Sequence, residues 1–235
     1  MKKCVINFAR GGWYPRGQAR LRASLTETGY DGSLLFGNNE EQVGAPPHEK
    51  CPYGFKPYAL QKAWHAGFTH ILWCDASVWA IRNIQPMFDH IDKHGHMFFL
   101  NTCTGNWTSD ACLDKFGVTR DEAMNIPMLM GICMGFNMLH PVTVEFLRQW
   151  LMYASDGVSF PGSWTNQNHE VSSDPRCNGH RHDQSSASLI SWKLGMDQIV
   201  PHETYFEYYR HPRGGLFDGD LSLVRPHTVM IAQGM

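Results

Sequence analysis

The sequence predicts an α/β fold: an open, mixed but mainly parallel sheet flanked by helices, in one domain over 1–235. Three observations carry that reading. Short apolar runs recur at strand length, helical stretches alternate with them, and glycines or polar residues gather just past the strand ends. In open sheets of this kind, ligands sit beyond the carboxyl ends of the strands.

The elements follow in order. Cys4-Val5-Ile6-Asn7-Phe8-Ala9 reads as a buried strand ending in Arg10-Gly11-Gly12. A helix is expected from about Pro15 to Thr28, with Leu21 and Leu25 one turn apart and Gly29 as a stop. Leu34–Gly37 is a second strand, and 44–54 a loop rich in Pro and Gly. Pro57 suits the first turn of a helix that Gly67 ends. Thr69–Cys74 is a third strand, delivering Asp75 at its end. Further strands are expected at Met97–Leu100, Gly131–Leu139 and Leu223–Ile231, and helices at Val142–Tyr153 and Gln184–Leu194. Two polar stretches, 101–125 and 159–182, read as long loops, a length at which function or mobility is usual.

Composition narrows the function classes. The 235 residues carry 20 Lys and Arg against 22 Asp and Glu, a formal charge of −2, with 43% hydrophobic residues. That balance excludes a general polyanion binder and intrinsic disorder. No apolar run reaches the roughly 18 residues that span a bilayer. The basic start Met1-Lys2-Lys3 leads into an apolar stretch broken at Asn7 and Arg10, too short for a secretory signal. The seven cysteines lack any CxxC pair and suit a reducing compartment. A cytoplasmic location is therefore expected, the host cytoplasm for a phage-encoded chain.

The charge is unevenly spread. Lys2, Lys3, Arg10, Arg16, Arg20 and Arg22 precede the first acid, so 1–26 carries +6 and the remainder −8. Basic groups beside a helix start after a Gly-rich turn suit a diphosphate. Asp75 at a strand end is a hard oxygen donor suited to Mg²⁺ or Mn²⁺, and equally a turn-capping residue with Ser77. Asp183 before an apolar-periodic stretch fits an N-cap as well as a functional carboxylate. Cys177, His180 and His182 fall short of structural-zinc spacing, and 159–182 is expected to act as a histidine-rich flexible lid.

Lys56-Pro57-Tyr58, a helix, an apolar strand, Trp73-Cys74-Asp75-Ala76-Ser77 and then Pro86 together resemble the core of GT-A-type nucleotide-sugar glycosyltransferases. Gly131–Asn137 resembles the strand beneath the donor sugar in that group, and His182–Leu189 an Asp-Gln helix start. The resemblance implies a UDP-sugar donor and a divalent cation, Mn²⁺ or Mg²⁺, held by Asp75, Ser77 and His227, with His202 and His211 as alternatives to the last. It implies a donor site of Ala9, Arg10, Trp13, Tyr14, Arg16, Asp75, Ala76, Ser77, Gly135 and Asn137. Asp183, Gln184 and Lys56 are implied at the reacting sugar, and the Asp-Gln pair leans toward retention of configuration. Residues 1–100 form the nucleotide-binding half, and 101–235 the half for donor sugar and acceptor. The acceptor class stays open among glycan, protein and modified DNA base. Asp75-Ala76-Ser77 departs from the group's DxD pattern, since Ser77 replaces the second acid. A nucleotidyltransferase and a non-catalytic nucleotide-sugar binder are the competing readings.

Overall fold

Alternation along the first strand sets the layers. In β1 (Lys3–Phe8), Cys4, Ile6 and Phe8 face one side while Val5 faces the other, and all are buried. A computed structural model describes residues 1–196, 199–210 and 215–233. Next come α1 (Tyr14–Glu27), β2 (Ser33–Gly37), α2 (Phe55–His65) and β3 (His70–Cys74). They are followed by β4 (Val78–Ala80), α3 (Gln85–His94) and β5 (His96–Cys103). Then follow α4 (Asp110–Phe116), α5 (Arg120–Ala123), β6 (Pro127–Asn137), α6 (Pro141–Ala154) and α7 (Asp183–Lys193). Three short strands end the chain: β7 (Ile199–Val200), β8 (Phe206–Tyr208) and β9 (Met230–Ala232).

The main sheet has the order β2-β1-β3-β6-β5-β7. β1 pairs parallel with β2 and β3, β5 pairs parallel with β7, and β6 runs antiparallel between β3 and β5. Helices α2, α6 and α7 cover the face carrying Ile6, Trp73 and Phe136, with Phe146 and Trp150 filling the layer. α1, α3 and the second sheet, β4-β9-β8, cover the face carrying Val5, Leu72 and Cys74. Prolines sit in the first turns of α1, α3 and α6, where the missing N–H costs nothing. Gly67 follows α2 at φ +84°, the left-handed conformation expected of its stop.

Two expectations change. The 101–125 stretch is not a loop: Ser109 caps α4 through the Cys112 amide, and Thr119 with Glu122 forms a capping box on α5. Within Leu223–Ile231 only Met230 and Ile231 lie in a strand, because Pro226 cannot donate to a ladder. The 159–182 stretch has no α-helix, yet it is pinned rather than loose. The Arg120 guanidinium reaches Thr108 O (2.7 Å), Asp110 (2.6 Å) and Ser172 Oγ (3.1 Å). His180 is fully buried, accepting from the Ser109 amide through Nδ1 and donating from Nε2 to Ser159 O. Among the described residues, no helix is long and apolar enough to cross a membrane.

Candidate active site

β3 and α2 bring the first two groups together. Trp73, on the helix-covered face, donates from Nε1 to Asp75 Oδ1 at 2.7 Å, which aims that carboxylate toward the start of α2. There Lys56, one residue into the helix, is 4% exposed. Its ammonium donates to Asp183 Oδ2 at 2.8 Å and to Gly131 O at 2.7 Å, and stands 3.6 Å from Asp75 Oδ1. Asp183 is the first residue of α7, so its carboxylate also meets the positive end of that helix. The N-cap position itself belongs to His182, held at φ +47°. Gly131 is required beneath this contact: a Cβ there would lie 2.7 Å from Gln184 Cγ and 3.0 Å from Asp183 Oδ2.

The electrostatics follow from burial. Desolvation pushes the carboxyls of Asp75 and Asp183 above their ordinary values, with Lys56 pulling both back. Burial works against the Lys56 charge too, but Asp183 and Asp75 outweigh it and hold the ammonium above its usual value. The cluster is thus one fixed cation between two carboxylates that protonate more readily than free ones.

Beside it opens a cleft of about 340 Å³, lined by Phe8, Arg10, Tyr14, Tyr53, Phe55 and Asp75, with Gly11, Glu40, His48, Glu49 and Ala76 completing the wall. Phe8 and Phe55 stack at 4.3 Å, and Tyr53 adjoins Phe55 at 6.0 Å. Trp164 meets Tyr53 edge-on at 5.8 Å, and Arg181 is sandwiched between Trp164 and Trp107 at 4.3 and 3.8 Å.

The other residues marked by sequence divide. Ala9 is buried at the end of β1, donating to Gly37 O. Arg10 lines the cleft, but one of its Nη atoms contacts both oxygens of Glu40, at 2.7 and 2.8 Å, so its charge is matched. Trp13 stacks on Tyr14 at the mouth of α1, whereas Arg16 is exposed and has no part in the cleft wall. Gln184 packs on Gly131, beside Asp183. Ala76 is at the cleft, and its carbonyl lies under Gly17 of α1, where a Cβ would come within 2.1 Å.

Three expectations fail on position. In the β3–β6 register Cys74 faces Cys133 but His70 faces Asn137, so Gly135 and Asn137 lie toward the far end of the sheet from Asp75. Gly135 packs under Ile91, and Asn137 Oδ1 accepts from the Leu139 amide. His227 is likewise removed: β9 sets Ala232 beside Val78 and Met230 beside Ala80, so residue 227 leads away from Asp75. Its Nε2 donates to Glu203 O at 2.6 Å. His211 and the side chain of His202 lie outside the described residues. The six early basic residues also form no single cradle, since Lys3 pairs with Asp31 and Arg22 lies over Phe36. In 159–182, the stretch expected to be a histidine-rich flexible lid, His169 is exposed but His180 and His182 are buried and hydrogen-bonded to the loop's own carbonyls.

A divalent cation would find one acidic ligand at the end of β3, Asp75, with substrate phosphates needed to complete its shell. Among the described residues, no group of three or more His, Cys, Asp or Glu could hold one. Asp75 Oδ1 is already taken by Trp73, with Lys56 beside it.

The aromatic wall of Phe8, Tyr53 and Phe55 and the buried Glu40 were missed by sequence reasoning. The available signal was the run Tyr53-Gly54-Phe55-Lys56, aromatic residues directly before the marked lysine.

No family model matches this chain, and no curated protein matches its sequence. Solved structures do. Mouse xyloside xylosyltransferase 1 in its apo form is similar at 12% identity and a TM-score of 0.53, over 99% of this chain and 98% of that one. The apo bifunctional glycosyltransferase WbbM is similar at 10% identity and a TM-score of 0.54, over 97% of this chain but only 45% of that one. At such identities the likeness speaks for architecture, and the architecture is the GT-A-type glycosyltransferase fold.

Proposed function

We propose that this chain transfers a glycosyl group from a nucleotide-sugar, with a UDP-sugar as donor, to an acceptor drawn from glycans, proteins and modified DNA bases. One observation carries the reading: the Lys56–Asp183–Asp75 cluster meets, through Asp75, an aromatic-walled cleft at the carboxyl ends of β1 and β3. The cleft offers ring faces for a nucleobase. A sugar reaching inward from the diphosphate meets Asp183 and Gln184. Positive charge then develops at the anomeric carbon, and a carboxylate fixed by Lys56 and the helix start is already in place to stabilise it. Lys56 thereby positions Asp183.

The test is a thermal-shift series with UDP-, GDP-, CDP- and ADP-sugars, followed by hydrolysis assays on whichever stabilises the fold. A UDP-sugar is expected to give the largest shift. Asp183→Asn is expected to lower turnover by roughly 10²-fold, the scale of losing one preorganised electrostatic contact. No shift with any nucleotide-sugar, together with no hydrolysis, overturns the reading.

A further inference from the structure

We infer that Trp164 forms an acceptor subsite, a stacking platform for the ring of a neutral saccharide beside the reacting carboxylate. The inference rests on the glycosyl-transfer reading and selects a glycan among the acceptors left open there. Trp164 is 48% exposed, yet its surroundings hold it firmly. Its carbonyl accepts from Arg181 Nη1 at 2.9 Å, and the same guanidinium lies 4.3 Å from its ring and 3.8 Å from that of Trp107. The two flanking segments are tied together. The His180 amide donates to Ser163 O at 2.8 Å, and the Asn166 amide to Asn178 O at 2.9 Å. Gly179 is required between them, since a Cβ there would lie 2.0 Å from Trp164 O. A ring already fixed in this way loses little freedom when a ligand stacks on it.

Its position is next to the chemistry. Tyr53 both lines the cleft and meets Trp164 at 5.8 Å. The His182 ring lies 5.1 Å from Trp164 and 5.5 Å from Tyr53, and the chain passes from it directly into Asp183. The makeup of 159–182 selects the class of acceptor. A pyranose offers C–H groups on one face to an indole and hydroxyls around its edge. Exposed Gln167, Asn168 and Asn178 supply amide donors and acceptors for such hydroxyls. A DNA acceptor would draw its affinity from phosphate contacts, but Glu170 and Asp174 balance Arg176 and Arg181 here. Arg176 is moreover held by Asp174 and Asp121, at 2.7 and 2.8 Å. A peptide is commonly read through a sheet edge or an apolar groove. The stretch 159–182 contains no strand, and Trp164 is its one exposed large apolar side chain.

The experiment titrates the whole chain, with UDP present, with the methyl glycosides of xylose, glucose, galactose and mannose, read by saturation-transfer NMR. A short single-stranded oligonucleotide and a serine- and threonine-containing peptide are run alongside. At least one glycoside should bind, and Trp164→Ala should weaken it at least about tenfold. Trp192→Ala is the control, an indole 46% exposed in the last turn of α7, and should keep the affinity within about twofold. In the wild type, the bound glycoside should shift the Trp164 indole N–H resonance and leave that of Trp192 in place, a readout that decides if Trp164→Ala does not fold. Equal binding by wild type and Trp164→Ala, or binding of the oligonucleotide or peptide but of no glycoside, overturns the platform. No glycoside bound by a wild-type chain that a nucleotide-sugar does stabilise also overturns it, and leaves the glycosyl-transfer reading standing. No response to either kind of ligand overturns both.

Discussion

His180→Gln is the substitution whose effect can be worked out most fully. The His180 Nδ1 accepts from the Ser109 amide at 3.2 Å and Nε2 donates to Ser159 O at 3.1 Å, so the fold requires the neutral ring. Burial and the nearby His182 drive its pKa down to about 3. A histidine depressed in the fold binds protons in the unfolded chain first, from about 6.5 downward. Stability is therefore fully present above that value and falls as pH drops toward the folded pKa. Each pH unit below about 6.5 costs about 1.4 kcal/mol for one such group, which comes to about 2 kcal/mol between pH 7 and pH 5. Glutamine keeps an amide donor for Ser159 O but cannot titrate. At pH 7 the variant is expected to be less stable by about 1 to 3 kcal/mol, the cost of leaving the Ser109 amide without its acceptor. The difference from wild type should then shrink by about 2 kcal/mol at pH 5. Urea melts at both pH values measure it, with other titrating groups cancelling in the comparison. A wild-type-minus-variant gap that is the same at pH 7 and pH 5 refutes the neutral, locked ring.

Gly17→Ala places a Cβ 2.1 Å from the Ala76 carbonyl oxygen, so α1 must lift from the turn that carries Asp75. The expected loss is about 2 kcal/mol, roughly 4 to 8 °C in Tm, with weaker nucleotide affinity, and unchanged values of both would contradict the packing. Arg120→Ala removes the bond to Ser172 Oγ, which ties 159–182 to the body, and the bonds to Thr108 O and Asp110, which hold Asp110 toward that loop. It should cost about 2 to 4 kcal/mol and speed limited proteolysis within 159–182, and a wild-type cleavage rate would refute the pinning. Of the seven thiols only Cys103 escapes full burial, and burial pushes those of Cys4 and Cys51 up to about 12. A thiol reagent at neutral pH should therefore label one cysteine per folded chain promptly, and rapid labelling of two or more would contradict the core assignment.

What could be read in advance divides by the range of the signal. β1, α1, β2, α2 and β3 match expectation to within a residue or two at most ends, because apolar runs, Pro57 and Gly67 mark them locally. The expectation of a loop over 101–125 misses α4 and α5 because their polar surface hides helical periodicity, although Ser109 and the Thr119–Glu122 pair carry the capping signal. β4, β8 and β9 have three residues each, too few to show alternation. At the site, Lys56, Asp75 and Asp183 stood out through strand-end position and family resemblance. Their mutual contact did not, since nothing local links residue 56 to residue 183. Glu40 illustrates the same limit: an acid in Glu40-Glu41-Gln42 reads as surface, and only the Arg10 guanidinium opposite explains its burial.

The Lys56–Asp183 contact closes a span of 127 residues. Such closure is entropically costly and late in assembly, because the intervening chain must be ordered before the pair gains anything. Until α7 docks, the ammonium and both carboxylates remain hydrated and no cleft of this charge exists. Nucleotide affinity should thus appear in the final folding phase and serve as a reporter of completed assembly. A ligand that binds only the docked state will in turn slow unfolding by holding that loop shut.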